Sequence, residues 1–82
     1  MDIIQYCLLG KIEEADGWYN RGVVLQDKEK HEEAIVCYDE AIQLDPENLA
    51  AYNGKGNSLR KLERDEEAIL CFDTSIKLKK EK

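Results

Sequence analysis

One proline and five glycines in 82 residues leave too few turn-formers for a β-sandwich or a barrel. Cations are the minority charge: 12 Lys/Arg stand against 18 Asp/Glu, a net charge of −6. Phosphate binding needs a cationic footprint, so nucleic acid is disfavoured as a partner. No apolar run approaches the length of a membrane span. The start, Met1-Asp2-Ile3-Ile4, carries an acid where a signal peptide has a basic residue. An odd number of cysteines, Cys7, Cys37 and Cys71, without a secretion signal reads as reduced intracellular thiols. The default location is therefore cytoplasmic. A single histidine, His31, beside a polar turn cannot supply a Cys-His or metal site without help.

The chain does contain a repeat. Segment 15–48 lies over segment 49–82 without a gap, and 12 of the aligned pairs are identical. Unrelated segments of that length and average composition would give roughly two. The identities include Gly22/Gly56, Leu25/Leu59, Ala34/Ala68, Cys37/Cys71, Asp39/Asp73 and Ile42/Ile76. Shape is kept at Trp18/Tyr52, Arg21/Lys55, Tyr38/Phe72 and Ala41/Ser75. The two parts of the chain differ in charge: residues 1–48 hold 4 Lys/Arg and 12 Asp/Glu, whereas 49–82 hold 8 and 6. One part is thus at −8 and the other at +2, an asymmetry that can steer head-to-tail contact.

The matched positions have helical spacing. Trp18, Gly22 and Leu25 fall at i, i+4 and i+7, as do Tyr52, Gly56 and Leu59. A second stripe, Ala34, Tyr38, Ala41 and Ile42, recurs as Ala68, Phe72, Ser75 and Ile76. Four helices are expected, near 16–28, 31–44, 50–62 and 65–78. Asp45-Pro46 ends the second, because proline cannot continue the ladder. Asn48 and Asp65 are the expected N-caps of the third and fourth. The polar turns at 28–30 and 63–64 are so short that each pair of helices must be antiparallel. A glycine inside a helix costs about 1 kcal/mol against alanine. That cost makes sense at Gly22 and Gly56 if a partner helix crosses there, with Ala34 and Ala68 opposite and Tyr38 and Phe72 filling the gap.

Trp18-x2-Arg21-Gly22-x2-Leu25, then Ala34-x3-Tyr38-x2-Ala41, then Pro46, resembles the tetratricopeptide repeat signature. Tyr52, Gly56, Leu59, Ala68, Phe72 and Ser75 repeat it. The resemblance covers 15–82. Arg21 and Lys55 stand where the family usually has Leu, and Lys80 stands where Pro46 would recur. It implies an all-α superhelix of antiparallel helix hairpins. Residues 15–48 form the first repeat and 49–82 the second. Residues 1–14 read either as a short N-terminal capping helix or as the remnant of an upstream repeat.

In this family the first helices of the hairpins line a concave groove that receives extended peptides or helices. Here the lining is expected from Asp16, Tyr19, Asn20, Val23, Gln26 and Asp27, then Asn53, Asn57, Arg60 and Lys61. Asparagines both donate to and accept from peptide backbone, and Tyr19 pairs an apolar ring with a polar tip. The same residues also fit an ordinary solvated helix face. The carboxylate clamp with which some members hold chaperone tails is not matched. Tyr19 and Val23 occupy the places of its first Lys and Asn, and Asn53 replaces the Lys in the second repeat. The expected function is a protein-interaction scaffold, with no catalytic residue, cofactor or metal. The alternative is self-assembly. Arrays of this family usually finish with an extra helix, whereas this chain stops at Lys79-Lys80-Glu81-Lys82. Leu59, Leu62, Phe72 and Ile76 are then expected to stay partly open to a second copy. Two such ends could meet about a twofold axis, or the apolar stretch 3–9 could swap across.

Overall fold

In the computed structural model, which describes residues 3–80, every regular element is a helix: α1 (Ile3–Asp27), α2 (His31–Leu44), α3 (Leu49–Lys61) and α4 (Asp65–Lys80). The side chains of 3–9, 11 and 12 lie outside that description. Consecutive helices pack on one another as antiparallel hairpins, α1 with α2 and α3 with α4, and α2 packs on α3 to join the hairpins. The architecture is an all-α helical repeat.

Backbone chemistry at the helix ends explains the boundaries. α1 and α3 finish alike. The Lys30 N–H reaches the Leu25 carbonyl at 2.8 Å and the Glu29 N–H reaches Gln26 at 3.0 Å. In the second repeat Arg64 bonds Leu59 at 2.9 Å and Glu63 bonds Arg60 at 3.0 Å. These paired bonds form a Schellman motif, which places one residue in the left-handed region. That residue is Glu29 (φ 63°) in one turn and Glu63 (φ 62°) in the other. Neither is a glycine, so each turn carries a steric cost. α2 ends at an extended Asp45, whose carboxylate accepts from the Glu47 N–H at 3.2 Å. Asn48 caps α3 as expected, its Oδ1 accepting from the Ala51 N–H at 3.1 Å. Asp65 does not sit at the cap position. It is the first residue of α4, where with Glu66 and Glu67 it faces the positive end of the helix dipole.

The first helix departs from expectation. There is no separate short helix before the first repeat: residues 3–14 are the opening turns of α1 itself. A lone glycine costs about 1 kcal/mol in a helix interior, which is too little to break the ladder at Gly10 when good helix formers follow it. These turns extend α1 along its axis instead of folding back over it. The apolar side chains Ile3 to Leu9, considered above for capping or swapping, lie outside the described residues.

The core is organised around small residues. Ala15, Ala41 and Ala51, from three helices, are each 0% exposed and pack as one cluster, flanked by Trp18, Tyr19, Ile42 and Leu44. Leu59, Ala68 and Cys71 form a second, flanked by Ile35 and Phe72. Between the clusters the Tyr38 ring is fully buried. A Cβ on Gly22 would lie 2.6 Å from that ring, and a Cβ on Gly54 also 2.6 Å. The ring therefore occupies the space two side chains would need, one on its own repeat and one on the next. Gly56 repeats the first contact, its added Cβ falling 2.8 Å from the Phe72 ring.

The open end predicted from sequence needs one correction. Leu59 is 1% exposed, because α4 folds back over it and brings Ala68 and Cys71 against it. Leu62 and Phe72 are half-buried. Of the four residues expected there, Ile76 is open, at 52%.

Candidate peptide-binding groove

α1 and α3 lie side by side with α2 behind them, and the seam between them is a groove of about 350 Å³. Helical periodicity decides what projects into it. Tyr19 and Val23 are one turn apart on α1, and Asn53 and Asn57 one turn apart on α3. Gln26, Asp27, Tyr38, Ala50 and Gly54 complete the lining.

Three side chains tie the floor together. The Tyr38 hydroxyl donates to Gln26 Oε1 at 2.7 Å. The Ser58 hydroxyl donates to the same oxygen at 3.4 Å. Gln26 of the first repeat is thus the acceptor for a buried residue of each repeat. The Tyr19 ring sits 5.8 Å from the Tyr38 ring at 44°, a tilted aromatic pair. Burial, with Tyr19 and Asp27 nearby, pushes the Tyr38 phenol up to about 12. It is a neutral donor at any ordinary pH.

Five of the residues expected from sequence meet here: Tyr19, Val23, Asp27, Asn53 and Asn57. Gln26, also named, supplies the floor. Lys61 lines a neighbouring depression with Gln26, Asp27, Glu29 and His31. Asn20, Asp16 and Arg60 are exposed and line neither depression. Asn20 is the first-repeat counterpart of Gly54, which faces Tyr38 across the repeat junction. Its position therefore points away from the second repeat. Sequence reasoning gave Tyr38 a packing role only and left Gly54 unassigned. The available signal was the second glycine two residues before Gly56, which has no counterpart in the first repeat.

His31 opens α2, is half-buried, and has no partner for its Nδ1 among the described residues. Cys37 and Cys71 are buried free thiols whose pKa values burial raises, opposed by Arg21 and Lys55 respectively. A raised thiol pKa means little thiolate and little nucleophilicity. Among the described residues no group of three or more His, Cys, Asp or Glu is placed to hold a metal ion. No described helix is long and apolar enough to cross a membrane. A depression at the 63–67 turn is formed by five charged residues.

Comparison with known proteins agrees with the helical-repeat fold. Two family models, both described as tetratricopeptide repeat, match residues 15–48 and 37–70. The crystal structure of MamA superimposes with a TM-score of 0.80 at 25% sequence identity, covering 82% of this chain. The match spans 39% of the MamA chain, so this chain corresponds to well under half of that protein. A search of curated proteins gave no match.

Proposed function

The chain belongs to the tetratricopeptide repeat family, whose repeats mediate protein–protein interaction, and we propose that it binds an extended segment of a partner protein in the groove between α1 and α3. We take residues 15–48 and 49–82 as the two working repeats. The observation that carries the reading is the groove itself. It has a braced floor, Tyr38–Gln26–Ser58, and two exposed asparagines one helical turn apart on its wall. Each carboxamide can accept from a backbone N–H and donate to a backbone C=O, which suits extended peptide without demanding one sequence. With Gln26 Oε1 already bonded twice, its NH2 is the end available to a ligand. Tyr19 and Val23 supply the apolar wall opposite, where one ligand side chain buries its surface. Asp27 at the rim disfavours an acidic ligand tail. The buried free thiols fit a reducing, cytoplasmic setting.

The test is a selection of peptides from a random display library against the wild-type chain, followed by amide chemical-shift mapping of the best binder. Shifts should concentrate on Tyr19, Val23, Gln26, Asn53 and Asn57. Asn53→Ala/Asn57→Ala should weaken binding roughly tenfold, as expected for losing about 1.4 kcal/mol of hydrogen bonding. Shifts gathered on the outer faces of α2 and α4, with the double variant binding as well as wild type, would remove the assignment.

A further inference from the structure

Repeat equivalence reaches a surface that the groove does not use. α3 seats on one face of α2. Gly54 meets Tyr38, Ile42 packs on the Ala15–Ala41–Ala51 cluster, and Ile35 packs on the Leu59–Ala68–Cys71 cluster. Lys55 Nζ lies 2.6 Å from Asp39 Oδ1. The stripe that α3 presents is Ala51, Gly54, Lys55 and Ser58, at i, i+3, i+4 and i+7.

In the second repeat the receiving face recurs on α4 as Ile69, Phe72, Asp73 and Ile76. Among the described residues no helix covers it: Ile69 is 57% and Ile76 52% exposed, and Asp73 has no ion pair. In the first repeat the presenting stripe recurs on α1 as Gly17, Asn20, Arg21 and Val24. It too is open. Val24 is 51% exposed, and no described residue lies within 4 Å of the Cβ a residue at 17 would carry.

We propose that these two faces are a matched pair, so that α1 of one copy docks on α4 of another, head to tail, as α3 docks on α2 within the chain. Three positions parallel the internal contact without copying it. Gly17 replaces buried Ala51 with something smaller. Val24 brings apolar surface where Ser58 lies buried. Arg21 reaches Asp73 as Lys55 reaches Asp39. The charges beyond the stripe also agree. α3 runs antiparallel to α2 and starts beside its C-terminal end, so a docked α1 brings Glu13, Glu14 and Asp16 to the last turn of α4, which carries Lys77, Lys79 and Lys80. One position disagrees. Asn20 stands where Gly54 stands, and a side chain there meets the Phe72 ring as a Cβ on Gly54 would meet Tyr38. The contact is therefore weak in the natural sequence, and Asn20 sets its strength. Because the two faces differ, the contact does not close on itself and gives open chains of copies.

Sedimentation velocity over a concentration series, at low and high salt, tests this. Wild type should self-associate with concentration at low salt, and added salt should weaken that. Asn20→Gly should tighten association about tenfold, because it removes an overpacked contact. Arg21→Glu and Asp73→Lys should each loosen it about tenfold. The double variant Arg21→Glu/Asp73→Lys should recover, and so should a mixture of the two single variants. Asn20, Arg21 and Asp73 are all exposed, so each variant should keep the helical circular dichroism of the wild type. A monomer at every concentration, in wild type and Asn20→Gly alike, overturns the proposal. So does association that responds to Asp73→Lys but ignores Arg21→Glu, which is the result for a twofold contact of α4 on itself.

Discussion

Gly54→Ala should destabilise this protein although alanine is the better helix former. The substitution adds one methyl group, whose carbon would lie 2.6 Å from Tyr38 Cζ, 2.7 Å from Cε1 and 3.0 Å from Cε2. Ordinary carbon contacts lie near about 3.5–4.0 Å. The ring cannot retreat. On its far side it already fills the space at Gly22, where an added Cβ would also fall at 2.6 Å. Its hydroxyl is held by Gln26, and none of the residue is exposed. The repeats themselves must therefore move apart. Overpacking of this kind costs about 1–3 kcal/mol, and the gain in helix propensity returns about 1 kcal/mol. The net expectation is a loss of about 1 kcal/mol, or a Tm lower by roughly 4–8 °C for a domain of this size. Gly17→Ala is the internal control. It makes the same chemical change in a helix where no described residue lies within 4 Å, so it should gain about 1 kcal/mol. Thermal unfolding followed by circular dichroism reads both. Repeating Gly54→Ala in a Tyr38→Leu background should turn the loss into a gain, since the two residues are coupled only through the clash. If Gly54→Ala and Gly17→Ala raise the Tm alike, Tyr38 is not wedged between the repeats.

Other consequences follow from the same contacts. The Tyr38 phenol is raised to about 12 from an ordinary 10.0. Below pH 10 both folded and unfolded chains keep the proton and stability is complete. As pH climbs from 10 towards 12 only the unfolded chain ionises there, so stability falls. Urea titrations across that range should show the decline in wild type and a shallower one in Tyr38→Phe. Glu63→Gly should stabilise by about 0.5–1 kcal/mol, because glycine removes the left-handed penalty at φ 62° and loses only part of that in chain entropy; an unchanged urea midpoint would contradict this. Asn48→Ala should cost about 1 kcal/mol by leaving the Ala51 N–H without its cap, measured in the same way.

The repeat was legible because its evidence is redundant. Gly22 with Tyr38 and Gly56 with Phe72 both announce a helix crossing, and the constant offset between the repeats places each pair in register. Asn48 was legible because an N-cap depends on one side chain and its own backbone. What could not be read was whatever depends on continuity or on a third element. Whether α1 breaks at Gly10 is decided by a small difference in helix energy, and the helix continues. Leu59 was expected at an open end because its burial depends on how tightly α4 closes, which periodicity does not report. The groove was half legible. Tyr19, Val23, Asp27, Asn53 and Asn57 follow from the angle of each helix face. Arg60 falls outside because its place on the first helix of a hairpin does not by itself put it on the seam between α1 and α3, and Asn20 because its position points away from the second repeat. Gly54 was missed because its partner lies in the other repeat, and comparing equivalent positions hides what is unique to one of them.

The groove exists only if the two hairpins stack through Tyr38, and one measurement addresses that directly. Nuclear Overhauser spectroscopy on isotope-labelled protein should show cross-peaks from the Tyr38 ring protons to the Hα protons of both Gly22 and Gly54. Cross-peaks to Gly22 alone would mean that each repeat folds on its own and the seam between α1 and α3 does not form.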